Sequence, residues 1–495
     1  MEFEHLYKIT SIRPLILVLL LAGCRGSSGP DASANPPPLS ARNLNLIFVV
    51  SEDLAFHASG DVDPDTANLT NQGLQRSLKI ATFMRRRVLG GKNVTGVYAL
   101  EPMTHLQTAS DHPDIAALET IQQFALLNKI TVTGAGQTST GNSFPINASY
   151  ASPVPSGVAT PTISCPNCQG LDFADQGSDN EALVTGIITA NVPGFHVFSA
   201  PWETTRVLLA SINNTEGYNL TLPATYAGPN YIFAISIAPS GSARLVSFNT
   251  HLNPRSTYPA LPSPVPVTTS CIAQPPFPTI RVTGGNGGAV VPAGINTNQT
   301  MYLIRHADAH PVSTFGDGNY VCAGQWRALD LPYVLANALR GKISPQQVYS
   351  IDPAQITPGS TSASGNSDWS DVAPALTAEP YAIANSLPYD LVTSFQISDS
   401  NSGNLASTFF FNDGQFSNRT VLLAWHFQQI APTVNALLGS YFAGGVAPNP
   451  APDWPSTDYD SIWTVTLDAS GNVTVDNSTC EGIDSATLPA TCPQF

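Results

Sequence analysis

Charge is what this chain has little of. Only 11% of its 495 residues are charged, and 20 Lys and Arg face 35 acidic side chains, a formal net charge of −15. That balance argues against nucleic-acid binding and against electrostatic docking on an anionic bilayer surface. Long apolar runs are also scarce: beyond residues 15–21, nothing suggests a membrane span. Signatures of several enzyme classes are missing. There is no Gly-x-Ser-x-Gly for a serine hydrolase. The Gly-Gly-Asn-Gly-Gly at 284–288 is not followed by a helix with Lys-Ser/Thr, so it is no phosphate loop. Cys165 and Cys168 form one Cys-x-x-Cys, with no second such pair or paired histidines to complete a zinc site. No carboxylate-rich metal cluster is seen, so neither metal nor cofactor is expected.

The N-terminus carries an address. Lys8 and Arg13 precede the apolar run 15–21, which ends in Leu21-Ala22-Gly23-Cys24. A run of that length is too short to span a bilayer and reads as a signal peptide, 1–23. Leu-Ala-Gly-Cys looks like a bacterial lipobox, which makes Cys24 the expected lipidation site. Residues 24–42, rich in Ser, Pro, Gly and Asn, read as a disordered tether. The expected location is therefore the bacterial cell envelope, periplasmic or surface-exposed, with membrane contact through the N-terminal lipid only. Setting Cys24 aside leaves six of the seven cysteines. In an exported protein these favour disulfides, for which 15 connectivities exist. Proximity suggests Cys165–Cys168 and Cys480–Cys492, leaving Cys271 with Cys322.

The rest of the chain repeats a pattern. Residues 43–57 match 298–311, 71–91 match 322–341, 94–102 match 345–353, and 114–128 match 371–385. The second block aligns Gly73 with Gly324 and Arg76 with Arg327. Four blocks in one order imply two tandem units of one fold, 43–254 and 298–495. The Pro- and Gly-rich stretch 255–297 between them reads as a linker, unable to continue sheet or helix. A Pro/Ser/Thr/Gly-rich insertion, about 134–178, is expected to be an exposed excursion. Strands and helices alternate in each unit, which implies an α/β fold with mainly parallel sheets and helices on both faces. In the second unit the expected strands are 301–304, 347–351, 420–424 and 462–467. Residues 462–475 read as a hairpin at a sheet edge. Pro332 is expected to kink its helix or start a second one.

The strand 301–304 ends in Arg305-His306, in the run LIRHADA, and a loop later follows G-Q-W-R-A-L. This stretch resembles the catalytic opening of the histidine phosphatase superfamily, the phosphoglycerate-mutase-like or histidine acid phosphatase fold. The resemblance implies two tandem three-layer αβα domains of that fold. It makes His306 the nucleophile that takes up a phosphoryl group and Arg305 a ligand of the phosphoryl oxygens. His426, after the strand 420–424, resembles the family's second catalytic histidine. Two residues at the ends of parallel strands can converge on one pocket. The family's second arginine is missing: Ala373 stands four residues before Thr377, where it belongs. One lost donor costs roughly 3–4 kcal/mol of transition-state stabilisation, so Arg327 or Arg419 is a candidate substitute. Asp308 is the first choice for proton donor and Glu379 the second.

The first unit lacks these groups. It carries Ser51-Glu52 in place of Arg305-His306, Pro201 or Trp202 in place of His426, and Ala116 in place of the arginine. His57 aligns nearer His310 than His306. The expected activity is thus a phosphomonoesterase housed in the second unit, acting on a phosphorylated small molecule. The competing expectation is a surface lipoprotein that binds a phosphorylated ligand, glycan or protein without turnover.

Overall fold

Alternation decides how the first strand is buried. In β1 (Leu44–Val50), Leu44, Leu46, Phe48 and Val50 face one apolar cluster while Ile47 and Val49 face another. A strand covered on both sides needs apolar residues on both. The computed structural model describes residues 35–54, 60–102, 106–107, 112–128, 131–134, 137–140, 146, 148, 171, 179–272, 276–309, 319–353, 356–358, 368–392 and 401–495. Cys24, His57, Cys165, Cys168 and His310 lie outside the described residues, as does most of the insertion.

β1 belongs to a five-stranded sheet with β2 (Gly96–Ala99), β3 (Gly194–Ala200), β4 (Tyr231–Ile237) and β5 (Ala243–Asn249), in the order β2-β3-β1-β4-β5. The second sheet has seven strands: β6 (Ile280–Val282), β7 (Gln299–Arg305), β8 (Gln347–Ile351), β9 (Tyr389–Val392), β10 (Thr420–Trp425), β11 (Ser461–Leu467) and β12 (Val473–Cys480). Their order is β6-β12-β11-β7-β10-β8-β9. Both sheets are mixed rather than mainly parallel. β1, β2 and β3 run parallel, as do β7, β8, β9 and β10, while the C-terminal hairpin of each half adds antiparallel strands. The run β2-β3-β1-β4-β5 and the run β8-β10-β7-β11-β12 have the same order and the same strand directions.

Helices cover both faces of each sheet. α3 (Asp179–Ala190) and α4 (Trp202–Thr215) pack on one face of the first sheet, and α7 (Ser402–Phe411) and α8 (Phe427–Ser440) on one face of the second. The other faces share a single apolar core. It holds Ile47 and Val49 of β1, Tyr302 and Ile304 of β7, and residues of α1 (Asn71–Phe83), α2 (Ala116–Leu127), α5 (Cys322–Ala338) and α6 (Ala373–Asn385). Residues 36–495 accordingly form one unit.

Four details differ from expectation. Pro332 is accommodated inside the single helix α5, without a second helix starting there. The stretch between the halves does contribute a strand, β6, which pairs with β12 and takes the sheet edge from the expected hairpin. Within the insertion, Ile146, Ala148 and Leu171 are buried rather than exposed. The disulfides are Cys271–Cys480 and Cys322–Cys492, not Cys271–Cys322 and Cys480–Cys492. The reason is the path of the tail: after Cys480 it runs over α5, where Trp326 Nε1 donates to Thr491 O, and on to α2, where Gln123 Nε2 donates to Pro493 O. Among the described residues no helix is long and apolar enough to cross a membrane.

Candidate active site

Strand register builds the site. β7 and β10 run parallel with Arg305 opposite Trp425, and the His306 N–H donates to Trp425 O at 3.0 Å. Each strand then ends in a histidine at the C-terminal edge of the sheet, where open α/β folds hold ligands. The rings of His306 and His426 stand 5.0 Å apart between centroids. His306 is 3% exposed. Its Nδ1 lies 2.8 Å from the carbonyl oxygen of Ala307. A carbonyl only accepts, so Nδ1 carries a proton. The loop behind the ring is pinned by α6: the Ala307 N–H donates to Thr377 Oγ1 at 2.8 Å, and that hydroxyl donates to Ala373 O. His426 is half-buried and caps α8, so the positive end of that helix dipole faces the same edge.

Arg305 is caged. Its guanidinium carbon lies 3.7 Å from the Tyr459 ring centroid and 4.3 Å from that of Phe427, an arrangement that favours a cation between two π faces. Nη1 donates to Ser456 O and Asp458 O. Nε is buried and has no acceptor among the described residues. Burial lowers the pKa of this guanidinium, and Tyr459, Asp308 and Asp458 oppose that shift. A buried N–H donor without an acceptor, beside two imidazoles, suits an anion.

Arg327 is not part of that cradle. Its side chain is 1% exposed and engaged on all three nitrogens. Nε donates to Asp308 Oδ2 at 2.7 Å, Nη1 to Glu481 Oε2 at 2.7 Å, and Nη2 to Ile483 O and Ser485 Oγ. The first half repeats the core of this arrangement: Arg76 Nε donates to Asp61 Oδ2 at 2.9 Å. Glycine makes both possible. A Cβ on Gly324 would lie 2.5 Å from Asp308 O, and one on Gly73 would lie 2.2 Å from Asp61 O. The Arg–Asp pair is present in both halves, including the one without counterparts of His306 and His426, so it belongs to the scaffold. Arg327 thus has acceptors on all three nitrogens, and Asp308 is its ion-pair partner.

Arg419 precedes β10 at the opposite end of the strand from His426, about 20 Å off at strand rise. Ala373 opens α6 within the apolar core, 2% exposed. Glu379 faces the other half: its carboxyl pairs with that of Glu119 on α2. Both Glu379 oxygens lack a donor among the described residues, so the pair is satisfied only when one carboxyl carries a proton. Two groups were not singled out from the sequence. Tyr459, on the loop before β11, has its ring centroid 6.0 Å from that of His306. Asp371 lies just before α6 and is buried, and burial pushes its carboxyl up to about 7. Its place ahead of a helix start was the available signal.

Register also corrects the comparison of the halves. Ser51 N donates to Ala200 O as His306 N does to Trp425 O. Ser51 thus stands where His306 does, Val50 where Arg305 does, and Pro201 where His426 does, one residue off the Ser51-Glu52 alignment. Glu52 instead accepts from the Tyr226 hydroxyl. Among the described residues one group resembles a metal-ligand set, Cys271, Asp460 and Cys480. Its sulfurs are bonded to each other and its carboxylate accepts from Ile272 N and Ile483 N.

No family model matches the chain and none of the curated proteins does. Among solved structures it has a weak likeness to a protein designated phosphohistidine phosphatase SixA from Agrobacterium tumefaciens, at 16% identity and a TM-score of 0.19. That match spans 34% of this chain and 92% of the other. A SixA from Nakamurella multipartitia, designated likewise, matches at 15% identity and a TM-score of 0.19, over 41% of this chain and 96% of its own. Likeness at this level carries no argument about chemistry, so the reading below rests on the side chains.

Proposed function

We propose that the C-terminal half is a phosphomonoesterase of the histidine phosphatase type, on an exported chain anchored to the cell envelope by lipid at Cys24. The observation that carries the catalytic reading is the bond from His306 Nδ1–H to Ala307 O. In the neutral ring this contact puts the proton on Nδ1 and makes Nε2 the nucleophile, with the His426 ring 5.0 Å away between centroids. In this reading Nε2 attacks phosphorus as the bond to the leaving oxygen breaks. The leaving oxygen takes a proton from a neighbouring acid, for which Asp308, two residues past His306, is the first candidate. Water then attacks phosphorus, the N–P bond breaks, and phosphate leaves. Arg305 Nε and His426 stabilise the charge spread over the phosphoryl oxygens. We read the N-terminal half as a copy of the same domain without these groups, consistent with the matching strand order of the two sheets.

Ala373 supports the second reading, a binding protein without turnover, because the apolar start of α6 supplies no second cation. The deciding experiment is hydrolysis of 4-nitrophenyl phosphate by residues 25–495, with His306→Ala alongside. Turnover by the wild type alone supports the enzyme. Equal background rates for both from acid to neutral pH leave only the binding protein.

A further inference from the structure

We propose that the C-terminal segment from Cys480 to Cys492 is a working part of the site: Glu481 positions the His306 loop through Arg327 and Asp308, and the two disulfides clamp the segment in place. This rests on the phosphatase reading. The chain of contacts is continuous. Asp308 is two residues past His306, and its carbonyl accepts from Val321 N at 2.9 Å. Its carboxylate holds Arg327 Nε, while Arg327 reaches back to Glu481, Ile483 O and Ser485. The same segment supports the Arg305 cage from behind. Glu481 N donates to Asp460 O and Ile483 N to Asp460 Oδ1. Asp460 follows Tyr459, whose ring stacks on Arg305, and Asp458, whose carbonyl accepts from Arg305 Nη1.

Beyond the strand that ends at Cys480 the segment has one short 3-10 turn, Ser485–Thr487, and an isolated bridge of Ile483 to Val267, with Thr268 N donating to Gly482 O. The covalent ties stand at its two ends. Cys480 is bonded to Cys271, and Cys492 to Cys322, the first residue of the helix that carries Arg327. Scaffolding alone does not call for an acid here. In the first half Arg76 completes its bonds with the neutral Asn230 side chain and Leu252 O. The carboxylate is an addition in the half that has His306 and His426.

The test uses the folded, oxidised chain and 4-nitrophenyl phosphate. Misplacing reacting groups by about 1 Å costs on the order of a hundredfold. Glu481→Gln is therefore expected to lower kcat by about ten- to a hundredfold with little change in KM, and Glu481→Asp to recover part of the loss. Reducing both disulfides in the wild type should reproduce the fall. Hydrogen exchange is read in parallel, with faster exchange expected at 306–309 and 321 in Glu481→Gln and after reduction. Wild-type kcat in Glu481→Gln overturns the proposal. If the wild type hydrolyses nothing, the phosphatase reading fails on its own. Exchange then still decides the clamp, and unchanged protection of 306–309 after both treatments sinks it.

Discussion

His306 and His426 follow adjacent parallel strands at the same register, and their rings meet 5.0 Å apart at a 42° tilt. Neither strand dictates this alone. The pairing of Arg305 with Trp425 sets both histidines at one height on the sheet edge.

In the phosphatase reading the two histidines have unequal roles. His306→Ala then removes the attacking atom and should reduce hydrolysis of 4-nitrophenyl phosphate to the buffer rate. His426→Ala should leave measurable turnover, with kcat lower by about a hundred- to a thousandfold, the scale of one lost transition-state donor. Stopped-flow assays of both variants check the order, and His426→Ala retaining wild-type kcat would contradict the paired site.

Arg305 should not be replaceable by lysine. A lysine keeps the charge but loses the planar fork that lies between Tyr459 and Phe427. Arg305→Lys is expected to weaken phosphate inhibition and to cost about 2–3 kcal/mol in kcat/KM, as for a lost charged hydrogen bond. Isothermal titration with inorganic phosphate gives the independent measurement.

Gly324→Ala tests the close approach of α5 to the site loop. Its Cβ would meet Asp308 O at 2.5 Å and Tyr320 Cβ at 2.8 Å. Backbone on one side and a Cβ on the other cannot swing away, so helix or loop must shift. Denaturant unfolding should show a loss of about 1–3 kcal/mol, and activity should fall with it.

Stability should decline toward alkaline pH. Burial raises Glu119 from 4.5 to about 7 and raises its partner Glu379 as well. Asp371 is pushed up to about 7 by burial. A carboxyl whose folded pKa is raised binds its proton more tightly when folded. Its contribution is fully present below about pH 4.5 and is lost as pH rises through about 7. Urea midpoints at pH 5 and pH 8 should therefore differ, with the lower one at pH 8. Glu379→Gln should shrink that difference, because an amide can donate to Glu119 without a titrating proton. An equal difference in the variant would remove the pair from the account.

Much of the second sheet was legible because strand periodicity is a local property. The expected strand 347–351 is the observed β8, and 420–424 falls one residue short of β10. The Gly–Arg correspondence between the halves was legible too, since Gly73 and Gly324 occupy the same contact with an aspartate carbonyl. What a side chain touches was not. Arg327 and Arg305 look alike in sequence, each an arginine near the Arg-His motif. One is bonded to Asp308, Glu481, Ile483 and Ser485, and the other keeps a buried Nε without an acceptor among the described residues.

By itself the sequence determined the alternation of strands and helices and the strand-end placement of His306 and His426. Those depend on which residues follow one another. The tertiary structure alone decided that the halves share one core, that Cys480 pairs with Cys271 and Cys492 with Cys322, and that Glu379 meets Glu119. These are contacts between segments far apart in the chain, fixed by how helices and the tail pack over two sheets, and no local pattern of residues encodes such a partner.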